Sequence, residues 1–261
     1  MAHVGLSQRR SRLVGRLRFS KSRRKEALVL VEGVRAVTEA LDAGASARFA
    51  VTSPRLQQTG GGSALARRLA ATDLELHTVD DAELSALADT ERPQGILLVF
   101  DEPTASLDLV EAGVRLLVLD GVQDPGNTGT LLRASVAFGL DAVIALEGTA
   151  DPWAPKTVRA SAGMAFRIPV IQARSADVVA ALQHAGVPLR VADVGGERVA
   201  PDESRAGFAL ILGNEGAGVR DELKAAATST VSIPMRGSAE SLNVGMAGSV
   251  LLYELTKESG A

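Results

Sequence analysis

Cysteine is absent from the 261 residues of this chain, and its absence excludes several kinds of chemistry at once. A chain without thiols has no disulfide, no thiolate metal site and no cysteine nucleophile. A base methyltransferase that attacks its substrate through a cysteine is therefore excluded.

Histidine and aromatic residues are also scarce. The three histidines, His3, His77 and His184, are scattered, and no carboxylates lie near them at metal-ligand spacing. We predict that they are ordinary surface or loop residues and that the protein has no metal site. Aromatic residues make up 3% of the chain, so any nucleic-acid contact should not depend on broad stacking platforms.

Long apolar runs are missing as well. No run reaches the roughly 20 residues needed to span a bilayer. Basic residues near the N-terminus are not followed by the apolar stretch of a secretory signal. These two features predict a soluble cytoplasmic protein without a membrane partner.

The net charge of −3 gives no overall sign of nucleic-acid binding, but the positive charges are unevenly distributed. A basic segment precedes the first acidic residue, Glu26. Such a segment attracts phosphates regardless of their sequence, although a solvated tail is an equally good reading. The candidate RNA-binding residues in it are Arg9, Arg10, Arg12, Arg18, Lys21, Arg23, Arg24 and Lys25.

Strand-like and helix-like segments alternate along the chain in two series. The composition, 46% hydrophobic and 23% charged, is that of a globular protein. The first series predicts a small α/β domain over residues 1–105, and the polar stretch 101–107 is the linker candidate. The second, over residues 106–261, has continuous apolar strands between helices, which predicts a mostly parallel sheet covered on both faces.

The first motif runs from Leu117 to Gly139, where a buried strand meets a loop of Asp, Gly, Pro and Asn. We predict Asn127 as a helix N-cap, because its side chain can accept from first-turn amides. Arg133 follows among apolar neighbours, and its planar fork suits phosphate or ribose recognition. An arginine that extends to water is the alternative.

The second motif, from Phe208 to Val219, is a buried strand that ends in Gly213-Asn214-Glu215-Gly216. The glycines would allow close contact with a ligand, and Glu215 could bind a ribose or orient Arg133. A surface turn uses the same residues. The glycine spacing does not match the dinucleotide-binding fingerprint.

The third motif, Ser232 to Glu254, joins a strand end, a flexible loop and a helix of small residues. We predict that Ser241 caps a helix over residues 242–255 and that Asn243 donates and accepts hydrogen bonds. Gly245 and Gly248 permit close helix packing. Core packing explains the small residues but not the polar pair Ser241 and Asn243.

The three motifs resemble those of the SpoU/TrmH family of RNA 2′-O-ribose methyltransferases, and they occur in the family's order. The segment over residues 151–163 is similar to the family's stretch between the first two motifs. Residues 25–40 and 93–100 resemble the family's N-terminal substrate-binding domain, whose fold is like that of certain ribosomal proteins. The resemblance covers nearly the whole chain.

The resemblance implies an α/β protein in which a small ribosomal-protein-like RNA-binding domain precedes a catalytic domain with a C-terminal trefoil knot, working as a homodimer. It also implies S-adenosylmethionine as the cofactor. The matching cofactor-binding residues are Leu212, Gly213, Ile233, Met235, Leu242 and, with less support, Ala192 and Asp193. The matching catalytic set is Asn127, Arg133, Glu215, Ser241 and Asn243.

The implied reaction is methyl transfer to a ribose 2′-hydroxyl of structured RNA. Ribosomal RNA is favoured over transfer RNA because a separate N-terminal RNA-binding domain is present. A non-catalytic RNA-binding protein that retains the fold is the competing class, and it should have lost some of the catalytic set. A nucleotide-dependent oxidoreductase is disfavoured by the missing fingerprint.

Overall fold

The computed structural model describes residues 5–199, 207–235 and 241–257. Backbone contacts divide the chain into two units. The first comprises Met1–Pro103 with Trp153–Arg167, and the second comprises Thr104–Pro152 with Ile168–Ala261. None of the described helices is long and apolar enough to cross a membrane.

The first unit is built on a mixed four-stranded sheet in the order β1-β4-β2-β3. Strands β1 and β2 run antiparallel to the central β4, whereas β3 runs parallel to β2. The strands are β1 (Leu28–Glu32), β2 (Ala47–Thr52), β3 (Glu75–Thr78) and β4 (Ile96–Asp101), and the helices among them are α3 (Val34–Asp42), α4 (Gly62–Ala70) and α5 (Asp81–Leu87).

Two helices that we did not predict precede β1. The basic segment folds as α1 (Gln8–Arg16) and α2 (Ser20–Glu26). Val14 and Leu17 are fully buried and join the core formed by Leu30, Phe49 and their neighbours. Helical spacing of apolar residues among the arginines therefore docks this segment onto the sheet, so it is not the open arm that the charge run suggested.

Residues 153–167 also pack into the first unit, through α7 (Pro155–Ala160) and the short helix Met164–Arg167. Trp153 is 2% exposed, and its ring lies 5.2 Å from that of Phe166, which in turn lies 5.2 Å from that of Phe100. We had placed this segment with the second domain. The domain limits 1–105 and 106–261 stay a prediction, although residues 153–167 lie beyond residue 105 and pack with the first unit.

The second unit contains a parallel six-stranded sheet in the order β10-β8-β9-β5-β6-β7, which confirms the predicted α/β class with a mostly parallel sheet. Its strands are β5 (Arg115–Asp120), β6 (Ala142–Leu146), β7 (Val170–Ala173), β8 (Leu189–Arg198), β9 (Phe208–Gly213) and β10 (Ser229–Ser232). Its helices are α6 (Pro125–Ala137), α8 (Ser175–Ala185), α9 (Asp221–Ala226) and α10 (Val244–Thr256).

Helix α10 packs directly against α6. A Cβ atom at Gly248 would lie 2.4 Å from a methyl group of Leu131 and 2.4 Å from one of Leu212. Leu251 and Leu252 are also buried on this side of the helix. Small residues therefore bring α10 close to α6 and β9 of the same chain, which positions the residues at the N-terminus of α10.

Candidate functional site

A cavity of about 440 Å³ opens in the second unit at the carboxyl ends of β9 and β10 and beside residues 192–194 of β8. In parallel sheets this edge is the usual place for a ligand. The described residues that line the cavity include Ala192, Asp193, Val194, Leu212, Gly213, Asn214, Glu215, Ile233, Met235, Ser241, Leu242, Asn243 and Leu251.

The cavity brings together all seven residues that we predicted for the cofactor: Ala192, Asp193, Leu212, Gly213, Ile233, Met235 and Leu242. Leu212 and Gly213 end β9, Met235 follows β10, and Leu242 precedes α10. Contact with a cofactor stays a prediction for each of these residues.

Strand β8 reaches the cavity through an excursion that the sequence did not reveal. Val191 pairs with Thr230, but the next pair along β10 joins Val231 to Glu197, so residues 192–196 loop out of the sheet. The Ser232 hydroxyl donates to the Gly196 carbonyl at 2.6 Å and closes this loop. The loop carries Ala192 and Val194 to the cavity wall.

Asn127 and Asn243 form a chain of hydrogen bonds that ends on Glu215. The Asn243 Nδ2 donates to Asn127 Oδ1 at 2.9 Å, and Asn127 Nδ2 donates to Glu215 Oε1 at 3.0 Å. Asn243 Oδ1 accepts from the backbone amides of Gly245 and Met246, which fixes the orientation of its amide. Three motifs thus meet in one directed network, which we call the amide relay.

The two predicted helix caps were wrong, and the correct caps explain the relay. Asp124, not Asn127, caps α6, because its side chain accepts from the Asn127 backbone amide at 2.9 Å. Asn243, not Ser241, caps α10. Since Asn127 lies inside the first turn of its helix, its side chain is free to link Asn243 with Glu215.

Glu215 is held as a carboxylate. Partial burial alone would raise its pKa, but hydrogen bonds from the Asn127 amide and from the backbone amides of Glu215, Gln123 and Asp124 outweigh it. The pKa of Glu215 therefore lies below its ordinary value. At neutral pH this group accepts hydrogen bonds and is a poor proton acceptor in chemistry.

Arg133 and Ser241 stand apart from the amide relay. Arg133 is exposed on α6 and makes no hydrogen bond or ion pair with any residue that the structure describes, so our suggestion that Glu215 orients it finds no contact here. Ser241 is exposed at the cavity edge. Both side chains are available to an incoming molecule.

The basic residues of α1 and α2 differ in their surroundings. Arg23 is 2% exposed and donates to the carbonyls of Leu17 and Arg18, so it is unsuited to RNA contact. Arg10 pairs with Glu75 at 2.5 Å, and Arg18 donates to the Ala86 carbonyl. The exposed members of the predicted set are Arg9, Arg12, Lys21, Arg24 and Lys25.

The histidines also need one correction. His77 is neither a surface nor a loop residue, because it lies on β3 and is 2% exposed. Its Nε2 lies 3.0 Å from an Arg10 guanidinium nitrogen. His184 is exposed on α8, and His3 lies outside the described residues. Among the residues that the structure describes, no group of three His, Cys, Asp or Glu could hold a metal ion.

Comparisons with known proteins assign families to both parts of the chain. Residues 115–253 match the SpoU rRNA Methylase family, and residues 10–98 match the MRM3-like substrate binding domain. A curated relative from Bacillus subtilis, the 23S rRNA (guanosine(2553)-2′-O)-methyltransferase RlmP, is 38% identical over 187 residues, which is 70% of this chain and 73% of the relative.

Two solved structures are similar over nearly their whole length. The AdoMet-bound rRNA methyltransferase from Sinorhizobium meliloti superimposes with a TM-score of 0.83 at 29% identity and covers 97% of each chain. The SpoU methyltransferase AviRb from Streptomyces viridochromogenes, in complex with AdoMet, gives a TM-score of 0.84 at 28% identity and covers 96% of this chain and 97% of its own.

Proposed function

The chain belongs to the SpoU rRNA methylase family, and we propose that it transfers the methyl group of S-adenosylmethionine to the 2′-hydroxyl of a ribose in ribosomal RNA. The observation that carries this proposal is the meeting of three motifs at one cavity edge. The relative and the two structures named above are rRNA or SpoU methyltransferases, which favours ribosomal RNA over transfer RNA.

The cavity fits the proposed cofactor in size and lining. A volume of about 440 Å³ lies in the usual range for small-molecule sites. Leu212, Ile233 and Leu242 offer apolar contact for a base, while backbone groups near Gly213 and Met235 can select its polar edge. When bound, the cofactor supplies a methyl group that its positive sulfur already activates.

The protein's own residues would orient the acceptor hydroxyl and stabilise charge that develops on it. Asn127 is held between Asn243 and Glu215, so its position is fixed before RNA arrives, which is the condition for efficient alignment. A guanidinium has only hydrogen-bond donors and no acceptor, so Arg133 is unsuited to be a base. It would instead hold the target phosphate and stabilise the developing alkoxide.

The test is methyl transfer to ribosomal RNA, with the modified nucleotide located by mapping 2′-O-methyl groups. Arg133→Ala should abolish transfer but leave cofactor affinity, measured by calorimetry, within about twofold, because Arg133 does not line the cavity. Arg174→Ala is the control, since this exposed arginine pairs with Asp177 away from the cavity. Equal losses of rate and cofactor affinity in Arg133→Ala would contradict the assignment.

The two competing functions predict different results. A transfer-RNA methyltransferase should methylate transfer RNA and leave ribosomal RNA unmodified. A non-catalytic RNA-binding protein should bind RNA and transfer nothing. The retention of Asn127, Glu215 and Asn243 in one connected relay favours an enzyme.

We also propose a homodimer formed through α10. Its outward face carries three exposed apolar side chains at helical spacing: Met246 (60% exposed), Val250 (42%) and Tyr253 (53%). Gly245, Gly248, Leu251 and Leu252 pack inward and are not part of this face. A face of this kind favours association, which light scattering tests against the subunit mass of 27.1 kDa.

A charge on this face should disrupt the dimer. Met246→Glu is expected to give a mass near 27.1 kDa, whereas Leu109→Glu, at an apolar side chain of similar exposure outside α10, should leave twice that mass. A monomeric native protein would refute the dimer. We further propose, from the family, that the catalytic domain has a trefoil knot and that the protein acts in the cytoplasm.

A further inference from the structure

Asp120 is a buried carboxylate that the proposed reaction does not use. It is the last residue of β5, is 2% exposed and does not line the cavity. A carboxylate at this depth is costly unless both oxygens are paired. Arg220 pairs both: its Nε donates to Oδ1 at 2.5 Å, and its backbone amide donates to Oδ2 at 2.8 Å.

Arg220 ties together three strand ends. In addition to Asp120, its terminal nitrogen Nη2 donates to the carbonyl of Glu147, which directly follows β6, at 3.0 Å. Arg220 itself follows the loop over residues 214–219, which begins where β9 ends. A single guanidinium thus fixes the far end of this loop to β5 and β6.

The near end of the same loop is fixed to Gly121, the residue that directly follows β5. Asn214 Nδ2 donates to the Gly121 carbonyl at 2.8 Å, and its Oδ1 accepts from the amides of Gly216 and Ala217. Asn214 and Gly218 also exchange backbone hydrogen bonds at 2.9 and 3.0 Å. Glu215 lies between these two anchors, so its position relative to Asn127 depends on both.

We propose that Arg220, together with Asp120, is a positioning residue that holds Glu215 against Asn127. The inference rests on the proposed function only where it predicts a change in the rate of methyl transfer. Neither residue touches the cavity, so both would act through the loop. A displacement of about 1 Å in such a relay can lower a rate by roughly a hundredfold.

A double-mutant cycle tests the proposal with the full-length enzyme. Arg220→Ala should lower kcat at least about tenfold, but in a Glu215→Gln background the same change should lower it by less than about twofold. A merely structural role would give equal losses in both backgrounds, and that outcome would overturn the proposal. Arg174→Ala again serves as the control, because it removes an exposed arginine–aspartate pair.

Milder variants keep the test valid if Arg220→Ala unfolds. Asp120→Asn keeps the shape of the side chain, and Arg220→Lys keeps the charge but cannot span Asp120 and the Glu147 carbonyl together. Each should lower kcat to a value between those of the native protein and Arg220→Ala. In the Glu215→Gln background, each should lower kcat by less than about twofold. Full activity in both would contradict the proposal.

A second readout does not depend on methyl transfer. Carbon-13 NMR of the Glu215 carboxylate should show its titration midpoint moving up toward the ordinary value in Arg220→Ala, because the loop releases its contact with Asn127. An unchanged midpoint would overturn the positioning role even in an inactive protein. If the native protein lacks methyl transfer but the Arg220→Ala variant shows this shift, only the proposed function is refuted.

Discussion

The substitution Gly248→Ala tests whether the small residues of α10 serve the fold of one subunit. The new methyl group would lie 2.4 Å from side-chain methyl groups of both Leu131 and Leu212. These leucines are 0% and 2% exposed, so they have little room to move aside. Overpacking of this kind costs about 1–3 kcal/mol, while alanine in a helix recovers about 0.5–1 kcal/mol.

Because the methyl group would meet two leucines at once, the cost should lie in the upper half of that range, and the expected net loss is about 1–2.5 kcal/mol. In a chain of this size such a loss lowers the calorimetric midpoint by about 2–10 °C. Because Leu212 also lines the cavity, cofactor affinity should fall as well. Gly15→Ala is the matched control. Nothing lies within 4 Å of its Cβ position in α1, so the same substitution should leave stability unchanged or raise it.

A suppressor makes the reasoning stricter. Leu131→Val removes a methyl group that the alanine would strike and should recover more than half of the loss in the double variant. A Gly248→Ala protein as stable as the native one would refute the intrachain packing. Loss of the dimer at unchanged monomer stability would instead place Gly248 at the subunit interface.

Four further predictions concern the relay and the first unit. Asn127→Asp should lower the methylation rate at least about tenfold, because a second carboxylate cannot donate to Glu215 and raises its pKa. Because folding lowers the pKa of Glu215, its carboxylate stabilises the folded state above about pH 4.3, and this stabilisation is lost as the pH falls through the lowered pKa. The difference in unfolding free energy between Glu215→Gln and the native protein should therefore disappear at acid pH. Arg12→Gln with Arg24→Gln should flatten the salt dependence of RNA affinity by about two charges, measured by filter binding, unless α1 and α2 make no phosphate contact. Deletion of residues 1–105 should weaken RNA binding more than cofactor binding. It should also lower the unfolding temperature, because residues 153–167 lose the unit against which they pack. An unchanged unfolding temperature would show that residues 153–167 do not need the first unit.

The strands of the parallel sheet were predictable because they are short apolar runs between turn residues. The apolar runs over residues 115–119 and 142–146 coincide with β5 and β6 within one residue. A continuous apolar run predicts such a strand because both faces of a central strand are buried. The same reasoning missed α1 and α2, where arginines obscured the helical spacing of Val14 and Leu17.

Cap positions were less predictable, although one signal was available. Proline is favoured at the first position of a helix, so Pro125 indicates that Asp124 is the cap and that Asn127 lies one turn inside. The excursion of residues 192–196 has no such signal. Its position depends on pairing with β10, which is distant in the sequence, and on the close approach of Gly196 to Thr230 and Val231.

The amide relay and the packing of α10 are consequences of one contact. A Cβ atom at Gly245 would lie 3.3 Å from Asn127 Oδ1, the atom that accepts from Asn243. A larger residue at either glycine would move the N-terminus of α10 away from α6 and lengthen that hydrogen bond. The hydrogen bond of the polar residue Asn243 therefore depends on the small residues of the third motif. Core packing sets how near Asn243 lies to Asn127, and through Asn127 it sets where Glu215 is held.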